Sequence, residues 1–189
     1  SISEIVKKRV RDYYERNSEI IHPPVDVEKF IPQKNAEKGD YYFILSAFVP
    51  YKRVELAVKA FIKSGKKLVV GGSGPGYKNI LKLSGGHKNI TVIKGPDDKK
   101  VVQLYRGAKG FIFPGFEDFG ITMVEAISSA TPVIAYDKGG ARDIVEEGKT
   151  GVFFSKQTVG ALNQAVEKAE GIKWDPKYLI SSAQRFSKE

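Results

Sequence analysis

Short, nearly unbroken apolar runs recur along this chain, at Tyr41–Ser46, Lys67–Gly71, Ile90–Ile93, Gly110–Phe113, Pro132–Ala135 and Gly151–Phe154. Most intervals between them hold apolar residues at helical spacing, such as Val54, Ala57, Val58 and Phe61. Runs this short, apolar at consecutive positions, suit strands covered on both faces. Strands separated by helices lie parallel, because a parallel neighbour is reached only by a crossover. The pattern predicts an α/β domain on a doubly wound parallel sheet. Ligands of such sheets bind at the carboxyl ends of the strands.

Ahead of the first run, Ser3–Arg16 carries Ile5, Val10 and Tyr13 among charges and predicts a helix. Glu19–Ile21 reads as a short extended piece, stopped at His22-Pro23-Pro24. One helical turn is expected over Asp26–Phe30 and a polar loop over Lys34–Asp40. A length of 189 residues with 41% hydrophobic content fits one globular domain.

Several function classes drop out. The absence of cysteine excludes a disulfide framework and a thiolate metal site, and His22 and His87 are too far apart in sequence to suggest a zinc cluster. No apolar run has the length of a membrane span, and the residues after Ser1 lack the apolar core of a signal peptide, so a cytoplasmic address is expected. The net charge of +9 favours an anionic partner. Lys7, Lys8, Arg9 and Arg11, then Lys63, Lys66 and Lys67, then Lys99 and Lys100 read as solvated faces or loops. No aromatic residues interleave with them, so nucleic acid is not an expected partner.

The loops after the strands are Ala47–Arg53, Gly72–Gly76, Lys94–Asp97, Pro114–Gly120 and Asp137–Arg142. All but the first contain glycine, which suits close approach of backbone to a ligand and equally suits tight turns. Gly71-Gly72-Ser73-Gly74-Pro75-Gly76 is neither a Walker loop nor a dinucleotide fingerprint. Tyr77 and Lys78 stand where the first needs Lys-Ser/Thr, and Tyr77 or Asn79 stands where the second needs its last glycine. A redox enzyme is disfavoured, although these amides remain free to meet a ligand.

The most informative stretch runs from Pro114 to Ala126 and enters a helix. Asp118 is a reasonable N-terminal cap, and the first turn would offer amides and partial positive charge to phosphate. Glu117 and Glu125 stand eight positions apart, about 12 Å if the chain between them were helical. That exceeds the roughly 5–9.5 Å between two carboxylates that flank a glycosidic bond. It suits gripping two ends of one ligand, or else a cap residue plus one solvated glutamate.

Phe116 to Ala126, continuing through Thr131-Pro132-Val133-Ile134-Ala135 to Gly139-Gly140, resembles the Glu-x7-Glu region of glycosyltransferase family 4. Ile21 to Phe30 resembles that family's interdomain linker, Leu45 to Phe61 its strand-loop-helix with a phosphate-binding lysine, and Gly148-Lys149-Thr150-Gly151 the turn before its last strand. Members are retaining enzymes of GT-B architecture, with the active site between two Rossmann-like domains. The resemblance implies that residues 41–173 are the nucleotide-sugar-binding Rossmann-like domain, the C-terminal half of such an enzyme. Residues 1–17 would then be the tail of a missing N-terminal domain, 18–40 the linker, and 174–189 the start of a crossover helix.

The resemblance also implies roles. Glu117 would hold donor-sugar hydroxyls and Glu125 the ribose. Amides at Phe119, Gly120 and Ile121, flanked by Asp118, would meet the sugar or diphosphate. Lys52 would neutralise the departing diphosphate, so that neither metal nor cofactor is needed. Gly72, Lys94 and Gly95 would complete the donor site, the last two near the base. The chain departs from the family at Ala47, where an arginine is usual, which leaves Arg53 as the only nearby substitute, and at Asp143, where a glutamate often follows the paired glycines. Val49-Pro50-Tyr51-Lys52-Arg53 resembles polysaccharide mannosyltransferases and points to GDP-mannose. The acceptor, saccharide or lipid-linked, would be held by the absent domain, with possible peripheral membrane contact. The alternatives are a nucleotide-sugar-binding module without catalysis and a GT-B nucleotide-sugar epimerase.

Overall fold

A computed structural model describes residues 1–32 and 38–188. Its six strands are β1 (Tyr42–Ala47), β2 (Leu68–Ser73), β3 (Ile90–Lys94), β4 (Gly110–Phe113), β5 (Val133–Tyr136) and β6 (Gly151–Phe154). All neighbours pair parallel, in the order β3-β2-β1-β4-β5-β6. Each apolar run of the sequence became one strand.

Alternation along the strands splits the core into two faces. Tyr42, Ile44, Val70, Ile112 and Ile134 pack with α2 (Val54–Ser64), α3 (Tyr77–Ser84) and α7 (Val159–Glu170). Phe43, Phe111, Phe113 and Val133 pack with α4 (Asp98–Gly107), α5 (Ile121–Ser128), α6 (Ala141–Ile144) and α8 (Pro176–Ala183). This is the doubly wound, Rossmann-like arrangement. Local chemistry starts the helices: the side chains of Asp97, Thr158 and Asp175 accept from first-turn amides of α4, α7 and α8.

The flanks differ in detail from expectation. The first helix, α1, spans Glu4–Tyr14; Ser3 caps it and the left-handed Glu15 ends it before Arg16. None of its residues is buried. Glu19–Ile21 joins no strand; Glu19 and Ile21 instead exchange backbone hydrogen bonds with Ser1. A single 3₁₀ turn forms at Val27–Phe30. The expected polar loop at Lys34–Asp40 lies partly outside the described residues. After Trp174 the chain forms α8 and a 3₁₀ turn, Gln184–Phe186, which pack back beside α5. Trp174 is a packing anchor that touches both core faces and donates to the Ala169 carbonyl at 3.2 Å.

Several loop glycines serve packing between loops. A Cβ on Gly140 would collide with the carbonyl and Cα of Phe119, and one on Gly139 with the carbonyl of Glu117. At Gly115 it would fall 2.9 Å from the Lys52 Cα. These are backbone obstacles that no rotamer change relieves. We expect Gly140→Ala to cost about 1–3 kcal/mol in urea denaturation. Gly160→Ala, on the surface of α7 with nothing near its added methyl, should instead gain about 0.5–1 kcal/mol.

Candidate functional site

Between β1 and β4 the crossovers diverge, one leading to β2 and the other to β5. A crevice of about 640 Å³ opens there, at the carboxyl ends of the strands. Ala47 and Lys52 line it from the β1 side, Gly72 and Gly95 from β2 and β3, and Glu117 to Thr122 from the β4–α5 loop.

Lys52 ends a 3₁₀ turn (Pro50–Lys52), and the left-handed Arg53 turns the chain into α2. Because Gly115 lets the two backbones touch, the Lys52 ammonium reaches Glu117 Oε1 as an ion pair. The two side chains are only 22% and 18% exposed. Glu117 Oε1 has no other hydrogen-bond partner among the described residues. Burial lowers the Lys52 pKa from its ordinary value.

The start of α5 corrects one expectation. Asp118 does not cap it; Gly120 occupies the N-cap at φ 102° with no side-chain hydrogen bond to the first turn. The crevice-lining residues Gly120, Ile121 and Thr122 therefore carry the uncapped, partly positive helix end. Asp118 instead pairs with Arg9 of α1 at 2.6 Å. Phe119 is buried, its ring stacked on His22 at 5.4 Å and edge-on to Phe186 at 5.6 Å.

The remaining expected residues divide. Gly72 and Gly95 line the crevice, linked by the Gly95 N–H to the Gly72 carbonyl at 2.9 Å. Lys94 is exposed and holds its ammonium over the Tyr77 ring at 5.1 Å. Arg53 lines a separate cavity with Phe48, Lys59 and Asn79, so it does not replace the arginine absent at Ala47. Glu125 is not in the crevice wall: its Oε2 accepts from the Tyr105 hydroxyl at 2.9 Å. Burial raises the Glu125 pKa, partly offset by that hydrogen bond. Tyr105 is itself fully buried among Phe30, Phe43 and Phe111.

Sequence reasoning missed Tyr105, Arg9 and the Glu4 amide that donates to the Asp143 carboxylate at 3.3 and 3.4 Å. Arg9 and Asp118 are 109 positions apart, beyond any local signal. Among the described residues no three His, Asp or Glu side chains gather as a metal cage.

Residues 26–186 match the family described as "Glycosyl transferases group 1". The chain belongs to that family. This glycosyl transferases group 1 domain is 30% identical over 161 residues to the D-inositol 3-phosphate glycosyltransferase of a Mycobacterium species, covering 75% of the chain and 37% of that protein. It is 26% identical over 195 residues to an uncharacterized glycosyltransferase of Methanocaldococcus jannaschii, covering 100% and 54%. In structure it is similar to a lipopolysaccharide outer core galactosyltransferase in its apo form (TM-score 0.83, 18% identity, 100% and 57% covered). It is also similar to Anabaena HepE solved with UDP and glucose (TM-score 0.82, 15% identity, 99% and 58% covered). These likenesses establish a fold of GT-B type. The domain spans roughly a third to three fifths of the length of these proteins.

Lys52→Ala should cost about 1–3 kcal/mol in urea denaturation, because it strands the Glu117 carboxylate in a half-buried site. Lys52→Met combined with Glu117→Gln should recover most of that loss.

Proposed function

We propose that this domain binds the nucleoside-diphosphate sugar of a retaining glycosyltransferase whose complete form transfers a hexose to a saccharide or lipid-linked acceptor. The observation that carries this reading is the Lys52–Glu117 pair, held beside the uncapped start of α5 in the switch-point crevice. A diphosphate would draw the Lys52 ammonium and lie against the α5 amides, where fixed positive charge stabilises a leaving group. Glu117 would then be released to accept from sugar hydroxyls. Glu125, with Oε2 held by Tyr105, would offer its other oxygen to the ribose.

In this reading the charge is met by a lysine and a helix end, and no step calls for a metal. Lys52 is the one cation among the described residues lining the crevice. That, with Ala47, favours a second reading: a nucleotide-sugar-binding module without turnover. The resemblance at Val49–Arg53 favours GDP-mannose, while HepE, solved with UDP, favours uridine donors. No helix among the described residues is long and apolar enough to cross a membrane; a cytoplasmic address with peripheral membrane contact is part of the proposal.

Calorimetric titration of GDP, UDP, ADP and their sugars tests the site. Saturable binding weakened at least tenfold by Lys52→Ala, and also weakened by Glu125→Ala, is the expected result; wild-type affinity in both variants would refute it. Turnover after joining the domain to the rest of its enzyme separates transferase from module.

The pH dependence has a definite sign. Binding needs Lys52 protonated, and burial lowers its pKa. Diphosphate affinity should therefore fall as pH rises, from below the usual lysine value of about 10.4. Lys52→Arg should flatten that decline across the same titration.

A further inference from the structure

A second concavity, of about 510 Å³, lies on the other side of the loop that presents Glu117. One wall is α1, where Glu4, Lys7, Lys8 and Arg11 share a helix face, continued by Arg16. The opposite wall is Lys138, from the turn between β5 and α6, and Arg142 of α6. Six basic side chains thus face two carboxylates, Glu4 and Asp143, against 31 basic and 22 acidic residues in the whole chain. Asp143 is already engaged by the Glu4 amide. Arg142 is paired with Asp137 and Arg11 with Asp12. Lys7, Lys8, Arg16 and Lys138 have no carboxylate partner among the described residues.

We propose that this concavity is an anion site that takes a phosphate group. Unpaired ammonium and guanidinium groups converging from two walls suit a compact anion approached from several directions. A nucleobase is a poorer fit: Phe116, the aromatic ring of the lining, is covered by the Arg9 guanidinium at 5.6 Å. Phe116 and Gly139 line the cavity, and the neighbouring Gly140 N–H holds the Glu117 carbonyl at 2.9 Å. The phosphate would therefore sit directly behind the proposed sugar-binding carboxylate. This site is separate from the donor crevice and goes beyond the donor-site reading; its phosphate is carried either by a soluble ester or by a lipid headgroup.

The test is a titration of the ¹⁵N-labelled chain with inorganic phosphate and with glycerol 3-phosphate. We expect shifts centred on Lys7, Lys8, Lys138 and Gly139. Lys8→Glu with Lys138→Glu should weaken both ligands at least tenfold and leave nucleotide affinity unchanged, so that a failed donor site and a failed anion site are told apart. Lys63→Glu with Lys82→Glu makes the same change of charge on α2 and α3 and should leave phosphate binding intact. Co-sedimentation with phosphatidylcholine vesicles containing 20% phosphatidate decides the source. Binding lost in the Lys8/Lys138 variant identifies a headgroup, and saturation by glycerol 3-phosphate without vesicle binding identifies a soluble ester. Shifts confined to the Lys52–Ile121 crevice, or equal weakening by the two double variants, would overturn the proposal.

Discussion

The β4–α5 loop lies against its neighbours through backbone contacts that exclude any side chain. Gly115 admits the Lys52 backbone, and Gly139 and Gly140 admit the carbonyls of Glu117 and Phe119. Three chain segments thereby converge at the β1/β4 switch point. The Lys52–Glu117 pair, the uncapped start of α5 and the wall of the second concavity all inherit their positions from that convergence. A methyl group at one of these glycines would push the acid away from the cation it faces.

Around this junction the ends of the chain act as fasteners. α1 buries none of its own residues, yet it is tied to the site by Arg9–Asp118 and by the Glu4 amide on Asp143. From the other end, Phe186 meets His22 and Phe119 in one aromatic cluster. Residues distant in sequence thus brace the same short loop from opposite sides. The Arg9–Asp118 pair is 40% and 45% exposed, so it adds orientation more than stability.

The electrostatics are asymmetric across the loop. Among the described residues its crevice face has one lysine, already paired with Glu117, and the other positive charge there is the start of α5. Its other face has cations in excess. Burial shifts Lys52 and Glu125 toward their neutral forms, because each is partly withdrawn from water.

Much of this was legible in the linear chain. Runs such as Gly110–Phe113 and Gly151–Phe154 located strands because a strand buried on both faces must be apolar at every position, a local property. The placement of Lys52, Glu117, Gly72 and Gly95 at one sheet edge followed from their positions after strands. The function of the glycines, the partner of Asp118 and the role of Tyr105 were decided only by tertiary structure. Composition showed that glycine was present, but whether its missing Cβ made room for a ligand or for a carbonyl depends on what lies opposite. A carboxylate's role likewise depends on which group meets it, and Arg9 reaches Asp118 across 109 positions of chain. The sequence determined the layers and the edge where chemistry gathers, because hydrophobic periodicity acts over a few residues; the fold decided which side chains meet there, because such contacts exist only once distant loops are packed together.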